Sequence, residues 1–220
     1  MNDAEAGFAE TCRQKAGDDW DVACGHPFTV ALGDSTLPTA AMADYLVQDY
    51  AFVGTLVSMV GFAVGKAPNI GAQARLSAFL AAVTSDENTY FQRSFDALQV
   101  PAADRSRPAL REVTKQLIAA MEEAGRQGSY GEILATLLPA EWIYLTWAEA
   151  QAAKAPEAFY FREWIDLHVN GNFRAFVLWL KAETDEAAKT ASADERQAMA
   201  ARFARMVQLE VDFFDMFQPR

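Results

Sequence analysis

Apolar residues recur at helical spacing along nearly every long segment of this chain, and alternating runs rich in β-branched residues are missing. That pattern leaves nothing from which to build a sheet, and it predicts an all-α fold. The 12 glycines and 8 prolines fall mostly between the periodic runs. A first helix is expected over Ala4 to Lys15. An irregular stretch follows, holding Gly25, His26, Pro27 and Phe28 and ending near Leu37-Pro38. Thr36 or Thr39 can cap the next helix, with Pro38 near its first turn, and that helix should run to Lys66, where Ala67-Pro68-Asn69 breaks it. Further helices are expected near 70–83, 86–98, 108–125, 130–153, 157–168, 172–187 and 193–217. No low-complexity linker or internal repeat divides the chain, so residues 1–220 read as one domain, a bundle with long central helices. A chain of this mass folds to a surface of about 10,000 Å², against about 35,000 Å² extended, which allows one full core.

Two segments depart from ordinary amphipathic helices. From Ala51 to Gly65 the chain is apolar almost all round. Such a helix is buried on every side, either as the centre of the bundle or through an oligomer interface. Gly54, Gly61 and Gly65 would permit close helix approach in both cases. Pro139 interrupts another helical run, so a kink is expected there, or one helix ending near Leu138 and another starting at Pro139.

Charge narrows the function classes. The 30 acidic and 19 basic residues give a net charge of -11, without the basic footprint that nucleic acids or anionic membranes require. A small cationic ligand needs only one or two local carboxylates and stays open. The N-terminus, Met1-Asn2-Asp3-Ala4-Glu5, is too acidic for a signal peptide, and the uncharged stretch from Tyr50 to Gly65 is short for a membrane span. Cys12 and Cys24 make no disulfide framework; they read as buried thiols or as one reactive thiol, and a cytoplasmic location is expected. Nucleotide-binding glycine motifs are missing, and neither His26 nor His168 follows a glutamate by three residues as di-iron bundles require. No metal or cofactor is therefore expected.

What remains is aromatic and acidic residues at helical spacing. Tyr45, Gln48, Asp49 and Phe52 share one face, which leaves Asp49 desolvated among aromatics, or else solvated or structurally paired. After Pro139 come Glu141, Trp142, Tyr144 and Trp147, with Glu141 facing either a site or water. On the last helix Glu210 shares its face with Phe213, Phe214 and Phe217, while Asp212 and Asp215 point elsewhere. Aromatic stacking area beside carboxylates suits a flat, nitrogen-rich ring.

Five sets of residues in order along the chain are similar to the TenA family, the thiaminase II enzymes. They are His26-Pro27-Phe28 with Leu37-Pro38, Tyr45-Leu46-Val47-Gln48-Asp49-Tyr50, Leu137-Leu138-Pro139-Ala140-Glu141-Trp142-Ile143-Tyr144, Trp164-Ile165, and Glu210-Val211-Asp212-Phe213-Phe214-Asp215-Met216. The resemblance implies a haem-oxygenase-like helical bundle, assembled as a homotetramer or dimer, with a small-molecule aminopyrimidine as ligand. It implies that Asp49 holds the ring's amino group and an adjacent ring nitrogen, that Glu210 is the acid/base, that Phe213 stacks on the ring and that Tyr144 orients the nucleophile or the glutamate. Tyr45, Phe52 and His168 fall at further substrate-binding positions, Phe52 and His168 where the family has tyrosines. No match for the family's tyrosine is evident around 108–125. The family's nucleophilic cysteine position is Ala140 here. The resemblance therefore implies a salvage hydrolase that exchanges an amino or formylamino group on the pyrimidine methylene for hydroxyl, with Glu141 beside the altered position. A non-catalytic pyrimidine- or aromatic-ligand-binding protein on the same scaffold is the alternative.

Overall fold

A computed structural model describes residues 6–218. Among the described residues twelve α-helices follow one another, and no strand occurs. Helix α1 covers Phe8–Ala16, α2 Asp18–Cys24, α3 Pro27–Gly33 and α4 Thr39–Lys66. Helix α5 (Ile70–Ala82) runs through a π-helical turn, Val83–Glu87, into α6 (Asn88–Ala97). Helices α7 (Ala102–Ser106), α8 (Glu112–Gln127), α9 (Tyr130–Gln151), α10 (Phe159–Val169), α11 (Gly171–Thr190) and α12 (Ala193–Asp215) complete the chain. The expected start of α1 at Ala4 lies outside the described residues.

The stretch expected to be irregular holds two short helices. Helix α2 forms because Trp20 and Ala23 bury on one side. In α3 the His26 side chain caps the first turn, Nδ1 accepting from Phe28 N–H at 3.1 Å, and Pro27 supplies a preset first residue. Pro139 neither ends nor restarts a helix: α9 is one helix from Tyr130 to Gln151. Ser129 and Glu132 close a reciprocal capping box at its start, and burial of most of its length holds it through the missing backbone donor.

Helix α9 packs against α11 and α12, while α4 lies along α8 and α5. Leu46, Leu134, Leu138, Phe203, Val207 and Phe214 are fully enclosed between these layers, and the total surface is 10412 Å². The most apolar part of α4 has the length and composition of a membrane span, yet Leu56, Met59, Val60 and Ala63 are buried in this bundle. The helix is not enclosed by its own chain on every side. Phe62 is 43% exposed, and a Cβ added at Gly54, Gly61 or Gly65 would meet nothing within 4 Å. The close approach of α4 occurs instead at Gly125 of α8, where an added Cβ would lie 3.2 Å from Met59 Cα.

Candidate active site

Asp49 of α4, Glu141 and Tyr144 of α9, Trp164 and His168 of α10, and Glu210 and Phe213 of α12 all point inward and are buried. Four helices thus deliver polar groups to one apolar interior, and burying such groups costs free energy unless they are paired or bind something. Part of the pairing is a directed relay. Trp164 Nε1 donates to the Tyr45 hydroxyl at 3.1 Å, Tyr45 and Tyr144 hydroxyls lie 2.8 Å apart, and Tyr144 donates to Asp49 Oδ1 at 3.3 Å. Since indole only donates and Tyr144 spends its proton on Asp49, the Tyr45 proton goes to Tyr144.

Aromatic rings frame this relay. Phe213 lies 5.6 Å from both Phe52 and Tyr45, and Phe217 lies 5.4 Å from Phe213. His168 packs 4.9 Å from Tyr144 and 4.5 Å from Trp164, and its Nδ1 donates to the Trp164 carbonyl at 2.7 Å. Burial pushes the His168 imidazole down to about 4, so at neutral pH it is uncharged.

The carboxyls set the electrostatics. Burial raises Asp49 well above the ordinary aspartate range, with repulsion from Glu87 and then Glu210 added. Glu141 is raised well above its range by burial, then by Glu87, Glu210 and Asp49. Burial alone lifts Glu210 to about 8. The groups that act on one another in this way converge on one region, and among the described residues no lysine or arginine is among the charges acting on them. The expected site residues are therefore brought together, Glu141 included: it is 9% exposed and does not face water.

The missed participant is Glu87. It ends the π-helical turn between α5 and α6, keeps some surface, and is still desolvated enough to be pushed up to about 7. An acidic pair, Asp86-Glu87, near the expected start of a helix carried no signal for a buried position. Gln48, by contrast, shares the expected face but serves the framework. Its amide donates to the Ala109 carbonyl and accepts from Arg111 N–H and the Thr114 hydroxyl. Neither cysteine belongs to the cluster: burial pushes Cys12 up to about 11 and Cys24 to about 12, which leaves both as unreactive thiols.

The family model that matches this chain is described as the TENA/THI-4/PQQC family and spans residues 13–218. The chain belongs to that family. An aminopyrimidine aminohydrolase of Bacillus subtilis is 24% identical over 209 residues, covering 95% of this chain and 89% of the relative. A solved TenA homologue from P. horikoshii OT3 superposes with a TM-score of 0.85 at 20% identity, covering 97% of this chain and 99% of that one. A Shewanella denitrificans domain described as having a haem-oxygenase-like fold superposes with a TM-score of 0.66 at 14% identity, covering 94% and 90%. The TENA/THI-4/PQQC chain thus has the haem-oxygenase-like helical bundle. Within that bundle, α4, α9, α10 and α12 supply the buried polar groups, and the π-helical turn adds Glu87.

Proposed function

We propose that this chain is a hydrolase of thiamin-derived aminopyrimidines, replacing an amino or formylamino group on the pyrimidine methylene by hydroxyl. The observation that carries the reading is the donor relay ending on Asp49, a buried carboxyl framed by Phe52, Phe213 and Tyr45. Burial raises the Asp49 carboxyl well above its usual range, which favours the protonated form, with one O–H donor and one carbonyl acceptor. An aminopyrimidine edge offers the complement, a ring nitrogen that accepts beside an amino group that donates. The aminohydrolase names of the relatives at about a quarter identity support the same substrate class.

In this reading Phe213 stacks against the ring, and Glu210, protonated at neutral pH, delivers its proton to a ring nitrogen. Ala140 offers no nucleophile, so water takes that part. The methylene C–N bond breaks with its electron pair leaving on nitrogen, a C–O bond forms, and the proton lost by water ends on the departing amine. Tyr144 holds Asp49 in place, and the chain works without a cofactor on a small molecule. The uncovered face of α4 around Phe62 supports assembly as a homo-oligomer. Ala140 equally supports a second reading, a binding protein that holds the pyrimidine without turning it over.

The test is incubation with thiamin and with aminomethyl- and formylaminomethyl-pyrimidines, followed by product analysis and calorimetry. Hydroxymethyl-pyrimidine should form from the amino compounds, and Asp49→Asn should abolish binding. Tight binding without product supports the binding protein; an Asp49→Asn variant with unchanged kinetics overturns the site.

A further inference from the structure

We propose that Arg111 is a positioning residue for the site, a latch on the turn after α12 that lets Phe217 brace Tyr45 and Phe213. The latch stands on its own contacts, and its effect on turnover rests on the pyrimidine-hydrolase reading.

Helix α12 ends at Asp215, so Phe217 lies past the helical hydrogen-bond ladder, yet it is 3% exposed. Its ring stands edge-on to two others, 5.4 Å from Phe213 at 72° and 5.5 Å from Tyr45 at 86°. Edge-to-face contacts fix the tilt of a ring as well as its separation. Tyr45 links Trp164 to Tyr144 in the relay that ends on Asp49, and Phe213 is the ring that stacks on the pyrimidine in the proposed reaction. Whatever holds Phe217 in place therefore bears on both of these groups.

Within the turn, the Met216 and Phe217 N–H groups donate to the Phe213 and Phe214 carbonyls at 3.3 and 3.0 Å. Arg111, the residue before α8, supplies further ties. Its guanidinium donates to the Met216 carbonyl at 3.0 Å and lies 5.0 Å from the centre of the Phe217 ring. The same guanidinium pairs with Asp44, the neighbour of Tyr45 on α4. The Arg111 backbone N–H donates to Gln48 Oε1 at 3.0 Å, and Gln48 is the neighbour of Asp49. One residue thus ties the turn to α4 beside both α4 members of the site, Tyr45 and Asp49. His26 adds a separate contact, meeting Asp215 at 3.3 Å. A flat, forked cation can donate, pair and lie against a ring at once, whereas lysine keeps the charge and a donor but has no such face.

The experiment compares wild type with Arg111→Ala, Arg111→Lys, Phe217→Leu and the variant carrying both Arg111→Ala and Phe217→Leu. Hydrogen exchange over residues 213–218, read by mass spectrometry, needs no ligand, and Arg111→Ala should exchange faster there than wild type. Next, kcat and KM for the aminomethyl pyrimidine are measured at a temperature where circular dichroism finds every variant folded. Arg111→Ala should lower kcat roughly 10- to 100-fold, because the stacking ring and the relay lose their alignment. Arg111→Lys should recover part of that loss. The double variant should be no slower than the slower single one, since both changes release the same ring. Should Arg111→Ala fail to fold, Phe217→Leu, which keeps an apolar side chain in place, makes the same test. Unchanged exchange over 213–218 overturns the latch. Faster exchange with kcat unchanged shows a tie that serves stability alone, and overturns the positioning role while leaving the hydrolase reading intact. A wild type that turns over no pyrimidine overturns that reading and the positioning role with it, whereas faster exchange in Arg111→Ala still upholds the latch.

Discussion

Replacing Glu210 by glutamine should stabilise the fold while removing activity, and the gain should depend on pH. The Glu210 carboxyl is 3% exposed, and burial lifts it from 4.5 to about 8. Between those values the folded state holds a proton that the unfolded chain has released. Stability therefore falls as pH rises from about 4.5 and levels off above about 8. At pH 7 the unfolded chain is almost fully ionised at this position and the folded chain almost fully protonated. Linkage then gives a cost of about 3 kcal/mol, since each tenfold difference in proton affinity between the two states is worth about 1.4 kcal/mol. Glutamine has no proton to hold and escapes that cost. Denaturant unfolding of both proteins should show the advantage of Glu210→Gln over wild type growing by about 3 kcal/mol between pH 4.5 and 7, and by about 4 kcal/mol by pH 8. For a chain of this length, that corresponds to a rise in Tm of roughly 6–12 °C at pH 7. A buried amide without a partner adds its own penalty, but that penalty does not vary with pH. A stability difference that stays flat from pH 4.5 to 8 would refute the claim that Glu210 is held protonated by burial.

His168 should titrate in the opposite sense. Its folded value of about 4 lies below the ordinary 6.5, so stability is full above 6.5 and about 3 kcal/mol is lost as pH falls to 4. Nuclear magnetic resonance should find the ring neutral, with its proton on Nδ1, at pH 6; a midpoint near 6.5 contradicts the packing described for it. On α4, Phe62→Glu should reduce the particle mass measured by light scattering to that of one chain, because a charge placed on an apolar interface repels its copy. A wild type that already runs as a monomer removes the assembly.

The long helices were legible because their punctuation is chemical. Pro38 and Ala67-Pro68 bracket α4. The face shared by Glu210 and Phe213 was legible too, as was the outward direction of Asp215, which meets His26 at 3.3 Å. Three features were not. Helices α2 and α3 are too short for a period to show, and a side-chain cap from His26 is not among the common capping residues. At Pro139 the end of one helix and start of another, one of the two outcomes expected there, does not occur, because α9 runs on through buried surroundings. Glu87 was invisible because a π-helical turn inserts a residue into the helical register, so an α-helical wheel drawn through this segment puts it on the wrong face.

The acidic cluster also bears on what a site of this shape does once alanine stands at position 140. Glu87 and Glu210 both push the Asp49 and Glu141 carboxyls up, so ionising all four together is disfavoured. Glu87 at about 7 and Glu210 at about 8 leave that group partly protonated near neutral pH. A thiolate carries its own nucleophilic electron pair, whereas water becomes a nucleophile only as a base takes its proton. A cluster that holds an acid and a base at the same pH can supply both halves of that exchange. In the proposed reaction, the crowding of carboxyls that costs the fold stability is what lets water stand where a cysteine would otherwise act.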